Sequence, residues 1–325
     1  MGVVIFHGGP DGGPEPRFDF SSNANALGPN PVVLEAVRAA DLSRYPDPAY
    51  TALRTRLGAW HGVPAGRVVV GAGASELIHR VVRVFGGPVL TLEPTFGEYA
   101  AAARAAGVEH LATYGPEAFL EALPGAGVAF LAQPDNPSGE VHEAAFLDEA
   151  SRRAREGGAR LVVDLAYAPL VEGDAPRPAE ALQLHAPNKA HGLVGVRAGY
   201  LVLPPGLAAP LVEAAPSWVI GPAAVAFLEA QAGEAARAWV RSTRPRLWLW
   251  RRSLAASLRA LGYEVREGAA NFLMARLGAA AAGRLRRRSI RVRPLDDKGL
   301  PDWARLSAQP PAAQQALLRA AQESS

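Results

Sequence analysis

The segment from residue 67 to residue 163 alternates short apolar runs with amphipathic stretches, and this alternation constrains the fold more than any other feature. The apolar runs predict strands at 67–70, 88–92, 127–132 and 160–163. The stretches between them predict helices, among them one that carries Leu77 to Phe85 and others at about 96–106 and 143–156. Strands that alternate with helices indicate an α/β domain with a mostly parallel sheet flanked by helices.

Beyond residue 204 this alternation stops, which suggests a second domain. Prolines and glycines interrupt the chain between 204 and 222, and a long helical stretch follows at roughly 223–261. Candidate strands at 263–266, 271–276, 290–294 and 303–307 then predict a smaller α+β domain. The breaker-rich start, HGGPDGGPEP, predicts an extended arm. We therefore expect an N-terminal arm (1–30), a large domain (31–210) and a small C-terminal domain (211–325).

Composition excludes several kinds of site. The chain has no cysteine, so disulfides, thiolate metal sites and a cysteine nucleophile are excluded. The histidines show no metal-ligand spacing, and we predict no metal site. The basic run RLRRRSIRVR at 284–293 predicts a solvated helix end leading into a strand, because no aromatic residues are interleaved with it and the net charge is only +3. We expect no nucleic-acid partner.

The apolar segments also bear on location. No apolar run approaches the roughly 20 residues that span a membrane. The start MGVVIFHGGPDGG lacks the basic region of a signal peptide. We therefore expect no membrane partner and a cytoplasmic location.

Unusual polar residues follow the predicted strands, where open α/β sheets bind ligands. The glycine turn before Ala74 and Ser75 either binds a phosphate at a helix N-terminus or is only a tight turn. Asn136, before a proline, is by default a turn residue. Asp164 either caps a helix or pairs with a cation, and Lys189 taken alone would be a surface lysine.

Taken together and in order, these segments resemble a known family. The order GAGASE, PTFGEY, PDNPSG, VVDLAY and NKAHGLVGVRAGY is similar to that of fold-type I enzymes of the class I/II aminotransferase family, which use pyridoxal 5′-phosphate (PLP). More narrowly, it resembles the branch that holds histidinol-phosphate aminotransferase and threonine-phosphate decarboxylase. The similarity runs from His7 to about Arg319. It implies a PLP enzyme that acts at the α-carbon of an amino acid.

The resemblance implies roles for five residues around the cofactor ring. Lys189 corresponds to the Schiff-base lysine, which also moves the α-proton. Asp164 corresponds to the aspartate that keeps the pyridine nitrogen protonated. Asn136 and Tyr167 correspond to the groups that contact the ring 3′-oxygen, and Phe96 to the aromatic residue stacked on the ring.

Further residues are implied to bind the cofactor phosphate. Ala74, Ser75 and Arg197 correspond to the phosphate-binding groups of the family. Asn188 departs from the family pattern, in which a hydroxyl residue usually precedes the lysine. One hydroxyl ligand of the phosphate is therefore lost or replaced by Asn188. Tyr45 corresponds to a tyrosine that reaches the partner subunit's PLP, which implies a homodimer with shared active sites.

Three residues are implied to bind the substrate. His7 and Asn23 correspond to residues of the branch that contact the substrate's phosphate and carboxylate, although His7 could also be incidental on a flexible arm. Arg305 aligns with the arginine that binds the substrate α-carboxylate, a role that suits its planar guanidinium. The resemblance thus implies a small phosphorylated amino acid or amine as substrate.

The N-terminal residues bear on the reaction. HGG at 7–9, DFSSNANALGP at 19–29 and RYPDPAY at 44–50 resemble threonine-phosphate decarboxylases of the cobalamin pathway, which we take as the first hypothesis. The alternative is a transaminase such as the histidinol-phosphate aminotransferase of histidine biosynthesis, which shares the whole catalytic set. A third hypothesis is a non-catalytic PLP-binding protein. Decarboxylation and transamination differ in how the substrate is oriented on the ring.

Overall fold

The computed structural model of the chain describes residues 7–322, so the first six residues of the predicted arm and the last three of the chain lie outside the described residues. The strands, in chain order, are β1 (Phe18–Asp19), β2 (Val68–Gly71), β3 (Val89–Leu92), β4 (His110–Thr113), β5 (Val128–Ala132), β6 (Arg160–Asp164), β7 (Leu182–His185), β8 (Gly199–Val202), β9 (Val265–Glu267), β10 (Phe272–Arg276), β11 (Ile290–Arg291), β12 (Arg293–Pro294) and β13 (Trp303–Ser307).

The helices are placed between and after these strands. They are α1 (Pro31–Arg38), α2 (Thr51–His61), α3 (Ala74–Phe85), α4 (Glu98–Ala106), α5 (Pro116–Ala122), α6 (Ala144–Gly157), α7 (Ala208–Glu213), α8 (Pro222–Gln231), α9 (Glu234–Ala260), α10 (Ala281–Arg287) and α11 (Pro311–Gln322). The predicted α/β architecture is therefore confirmed.

A seven-stranded sheet in the order β2-β8-β7-β6-β5-β3-β4 forms the centre of the fold. Its strands are parallel except for β8, which runs antiparallel to both β2 and β7. Apolar residues line both faces because side chains alternate along each strand: Val69 packs on the α3 side and Val68 and Val70 pack on the α2 and α8 side. The sheet is thus covered by helices on both faces, as mostly parallel sheets are.

The sequence did not predict three strands of this sheet. β4 is an edge strand whose four residues HLAT are not fully buried. The strands β7 and β8 are four residues each, and β8 begins at a glycine. Such short strands owe their conformation to pairing with neighbours more than to their own composition, so local patterns signal them weakly.

The C-terminal part contains a four-stranded antiparallel sheet in the order β12-β13-β10-β9. The predicted helix at 223–261 is in fact two helices, α8 and α9, because Gly233 adopts an extended conformation between them. The predicted strand at 290–294 is also divided, since β11 pairs in parallel with β1 and β12 pairs with β13.

The predicted arm is partly fixed to the C-terminal part of the chain. Its β1 pairs with β11, and the Phe20 side chain is buried in the same cluster as Leu273 and Leu306. The division into an arm, a large and a small domain stays a prediction.

The basic run at 284–293 leads from the end of α10 into β11, as the sequence predicted, but two arginines in its strand part are not solvated. Arg291 and Arg293 are buried, because they lie on the short strands β11 and β12. Arg291 donates to the Asp19 carboxylate, and Arg293 donates to that of Asp297. These carboxylates compensate the charges of the two arginines and so permit their burial, which the local sequence did not indicate.

Residues 7–322 include no helix that is both long enough and apolar enough to cross a membrane. The same residues hold no group of three or more His, Cys, Asp or Glu side chains arranged for a metal ion. The cytoplasmic location stays a prediction.

Candidate active site

The candidate site forms where the carboxyl ends of β5 and β6 meet the N-terminus of α3. Asn136 lies four residues after β5, and Asp164 is the last residue of β6. Gly73 has φ of +90°, a conformation that a residue with a Cβ rarely adopts, and it lets the chain turn from β2 into α3. The loop after β7 brings Lys189 to this edge.

Lys189 lies between two aromatic rings that the sequence assigned to the same site. Its Nζ is 4.2 Å from the centre of the Tyr167 ring and 5.9 Å from that of Phe96. Burial alone would raise the pKa of Tyr167, but the positive charges of Lys189 and Arg305 outweigh it and lower that pKa. Asn23 donates to the same hydroxyl at 3.4 Å. Tyr167 is therefore a phenol whose proton is held weakly in a cationic environment.

Asp164 is a buried carboxylate that forms no ion pair with a cationic side chain among residues 7–322. It accepts hydrogen bonds from the Tyr99 hydroxyl at 2.9 Å and from the Ala166 N–H at 3.0 Å. Burial raises the pKa of Asp164, and the charge of Lys189 offsets this only in part. A carboxylate in this condition would be stabilised by a cationic group placed against it. Its neighbour Tyr99 is the last residue of the PTFGEY segment at 94–99, but the sequence did not indicate a role for it.

Arg305 is buried beside Asn136. Its Nη1 donates to Asn136 Oδ1 at 2.5 Å, and its Nη2 donates to the Ser21 carbonyl at 2.8 Å. Burial lowers the pKa of Arg305. Among the described residues no carboxylate forms an ion pair with its guanidinium. A buried cation without an anionic partner is costly, so this position suits an anionic ligand.

The residues assigned to the cofactor phosphate lie around the start of α3. A Cβ added at Gly73 would come within 2.8 Å of Arg197 Nη2, which places that guanidinium against the glycine turn. Ala74 and Ser75 are the first two residues of α3. The N-terminus of α3 and Arg197 together can bind a phosphate.

Three buried polar atoms near these residues have no hydrogen-bond partner in the described part of the chain. They are Asn23 Oδ1, Asn188 Oδ1 and Arg305 Nε. Buried polar groups are normally paired, so unpaired atoms in one region indicate that a further polar group binds there. Asn188 is thus available where the family has a hydroxyl, although its contact with a phosphate stays a prediction.

His7 lies over the candidate site, as the resemblance implied for the arm. Its Nε2 is 2.7 Å from Glu98 Oε1, and its ring centre is 4.8 Å from that of Phe96. The hydrogen bond with His7 outweighs burial and lowers the pKa of Glu98. Sequence reasoning missed Glu98, whose position in PTFGEY carried no signal of a contact 91 residues away. Contact of His7 and Asn23 with a substrate stays a prediction.

Tyr45 is the one assigned residue that lies apart from this group in the described chain. Its side chain is 78% exposed and stacks on Trp218, with ring centres 4.4 Å apart. Trp218 is itself 43% exposed. An exposed aromatic pair of this kind is typical of a surface that contacts another molecule.

Two observations define the class of protein. The first is the structure itself, which has the sheet topology of a fold-type I PLP enzyme. A lysine, a buried aspartate and a phosphate-binding helix N-terminus meet at one edge of that sheet, as they do in such enzymes. Residues 15–323 match the family model described as aminotransferase class I and II. The chain belongs to this family and is a PLP-dependent enzyme, so the sequence-based resemblance, fold and cofactor are confirmed.

Individual proteins of known name are also similar to this chain. The chain is 32% identical over 316 residues to histidinol-phosphate aminotransferase of Hyphomonas neptunium, with 88% of this chain and 84% of that protein covered. It is 34% identical over 322 residues to the Rhodospirillum rubrum protein of the same name, with 88% and 84% covered. The structure of histidinol-phosphate aminotransferase from Sinorhizobium meliloti in complex with pyridoxal-5′-phosphate has a TM-score of 0.86 at 24% identity, with 95% and 91% covered.

These comparisons correct the order of the sequence-based hypotheses. The relatives named above carry the name of the transaminase alternative, and they do not support the threonine-phosphate decarboxylase or the cobalamin pathway. They also give no support to a non-catalytic PLP-binding protein. The N-terminal motifs were overweighted because a short arm segment is a weaker indicator of reaction than similarity over the whole chain.

The residues present fit PLP. Among the described residues Asp164 has no bonded cationic partner, and the protonated ring nitrogen of PLP would be one. Asn188 Oδ1 has no hydrogen-bond partner in the same part of the chain. Only two lysines occur in the sequence, Lys189 and Lys298. Lys189 is the one flanked by the two aromatic rings, so it would carry the cofactor.

Proposed function

We propose that this enzyme is a transaminase for a small phosphorylated amine or amino acid, with histidinol phosphate as the best candidate substrate. The observation that carries this proposal is a pair of buried arginines. Arg293 on β12 and Arg305 on β13 are directly opposite each other in the antiparallel ladder. Both line one small cleft, together with His7, Phe96 and Asn136.

The charge of this pair supports a phosphate. Like charges opposite each other in a ladder destabilise a sheet unless an anion compensates them. Asp297 pairs with Arg293, which leaves Arg305 without a carboxylate among the described residues. A dianionic phosphate provides several acceptor oxygens for two guanidinium groups. A co-substrate carboxylate would fit Arg305 by the same argument.

The choice of transamination rests on the relatives, which share that name over most of the chain. Bound PLP supplies an electron sink for charge that develops at the substrate α-carbon. Lys189 would take up and return the α-proton as a general acid–base, and Asp164 would keep negative charge against the ring nitrogen. Phe96 and the His7 arm would exclude water from the cleft.

We expect Arg293→Gln to lower kcat/KM for histidinol phosphate by roughly 10- to 100-fold, because a charge-assisted hydrogen bond contributes about 1.5–3 kcal/mol. The same variant should barely affect unphosphorylated histidinol. Steady-state kinetics of both substrates with 2-oxoglutarate checks this, and Arg293→Lys should fall between wild type and Arg293→Gln.

An exposed arginine of the same sheet provides the matched control. Arg266→Gln on β9 should leave kcat/KM unchanged for both histidinol phosphate and histidinol. An equal loss for both substrates in folded Arg293→Gln would show that Arg293 is structural. A wild-type enzyme without preference for the phosphate would contradict the proposed substrate class.

We also propose that the active unit is a homodimer in which Tyr45 completes the partner's site. The proposal rests on the family resemblance and on the exposure of the Tyr45–Trp218 pair. Mixing inactive Lys189→Ala chains with inactive Tyr45→Ala chains should restore activity to roughly a quarter of wild type, since half of the dimers would be hybrids with one intact site each.

The control mixture combines Lys189→Ala with Asp164→Asn. Both residues lie in one chain's site, so hybrids of these two variants contain no intact site and should stay inactive. Equal behaviour of the two mixtures, after mass spectrometry has verified subunit exchange, would rule out the shared site.

A further inference from the structure

A second cavity, of about 500 Å³, lies outside the residues assigned to catalysis. Its walls come from two loops, three helices and the ends of two strands. The loops follow β6 (165–177) and β7 (186–191), the helices are α2, α8 and α9, and the strands contribute His185 on β7 and Tyr200 on β8. We call it the His185 cavity. Its lining does not include Asp164, Tyr167 or Lys189, but it includes residues within one to three positions of each of them.

One wall of the His185 cavity is built from aromatic rings. The ring centre of His61 is 4.7 Å from that of Trp60 and 4.7 Å from that of His185. His185 stacks on Tyr200 at 4.8 Å with an angle of 9° between the planes. Burial lowers the pKa of His61 to about 4 and that of His185 well below its usual range, with the charge of Arg177 adding to both effects. The wall is therefore uncharged at neutral pH and suits a planar ring.

Cationic side chains line the rest of the cavity. They are Arg177, Arg237, Arg241 and Arg244, whereas Asp174 is the carboxylate in the lining. Glu234 pairs with Arg237 and Arg241, and Arg244 donates to backbone carbonyls. Two carboxylates thus face four guanidinium groups.

Arg177 and His185 have unused hydrogen-bonding capacity. Within residues 7–322, Arg177 forms no hydrogen bond or ion pair, although its charge influences both His61 and His185. His185 Nε2 is buried and has no hydrogen-bond partner in that part of the chain. Buried nitrogens are usually paired, so His185 Nε2 indicates a missing hydrogen-bonding group. Arg177 is exposed, and its guanidinium is free to bind an anion.

We propose that the His185 cavity binds a small anion that carries a planar ring, such as an aromatic carboxylate or phosphate. The ring would pack on the aromatic wall, and the anionic group would bind Arg177. The cavity is lined by the loop that directly follows Asp164 and by the loop that carries Lys189, so its occupant would contact the backbone next to both residues. This inference does not depend on the substrate proposed above.

Phenyl phosphate is a suitable probe, since it joins a ring to a dianion. Isothermal titration uses holoenzyme whose PLP has been fixed on its lysine with borohydride, so that the cofactor phosphate site is filled. We expect binding in the His185 cavity that weakens at least tenfold in Arg177→Ala. Benzyl alcohol and inorganic phosphate, which each lack one half of the probe, should both bind at least tenfold more weakly.

Two variants separate the alternatives. Arg38→Ala removes an exposed arginine at the end of α1 and should leave the affinity unchanged. Arg293→Gln alters the proposed substrate cleft and should leave this binding intact. The proposal is overturned if phenyl phosphate does not bind, if Arg177→Ala binds it as wild type does, or if Arg293→Gln alone removes the binding.

Discussion

Replacing Lys189 with alanine should remove the covalent cofactor and nearly all turnover. The variant lacks both the amine that holds PLP and the group that would move the α-proton. General acid–base catalysis alone contributes about 10²–10⁴-fold. Purified wild-type protein should be yellow, and borohydride should bleach the band and add the cofactor's mass to one peptide. Lys189→Ala should show neither the band nor the added mass.

The second lysine of the chain provides the control. Lys298 is half-buried, and burial lowers its pKa, so it is the other lysine amine in the sequence that could react with an aldehyde. Lys298→Ala should keep the borohydride-fixed adduct on the peptide that contains Lys189. An adduct on Lys298, or an unmodified Lys189 with turnover retained, would reject the assignment of Lys189.

The Asp164→Asn variant should keep PLP but lose several orders of magnitude in turnover. Asparagine preserves the shape of the side chain and removes the negative charge that would keep the ring nitrogen protonated. Burial raises the pKa of Asp164, and a protonated ring nitrogen placed against the carboxylate would stabilise its charged form. Cofactor content from absorbance and kcat from steady-state kinetics test the two halves of the prediction separately.

Tyr99→Phe is the matched control for this effect. It removes one hydrogen bond to Asp164 but leaves the carboxylate charge, so its loss of turnover should be far smaller. Near-normal turnover of Asp164→Asn would mean that another carboxylate faces the cofactor.

The sequence predicted the fold correctly where consecutive residues of a strand are buried on both faces of the sheet. The strands β2, β3, β5 and β6 are apolar runs between amphipathic helices, and their pattern alone specified an α/β sheet. β7 and β8 were missed because their conformation depends on neighbours that are distant in sequence. The antiparallel direction of β8 has no local signal at all.

The candidate site was predictable as a set of residues but not as a set of contacts. Asn136 and Arg305 are 169 residues apart, and the hydrogen bond between them follows only from the fold. The burial of Arg293 was not predicted for the same reason, since it depends on the pairing of β12 with β13. Glu98 was missed because its contact with His7 joins an arm to a helix.

The reaction was the least predictable property. The catalytic residues of a transaminase and a decarboxylase of this branch are the same, so the choice rested on short arm motifs. Similarity over the whole chain favours the transaminase, and it is the broader evidence because the walls of a substrate cleft come from many segments. Here they come from residues as far apart as His7, Asn136 and Arg305.

A half-reaction directly distinguishes a transaminase from a decarboxylase. Holoenzyme is mixed with histidinol phosphate in the absence of 2-oxoglutarate, and the visible band and the released products are followed. We expect one amino group to be transferred to the enzyme per chain, with loss of the band, no release of CO₂, and recovery of the band when 2-oxoglutarate is added. Multiple turnovers with CO₂ released from threonine phosphate, and no change of the band with histidinol phosphate, would contradict it.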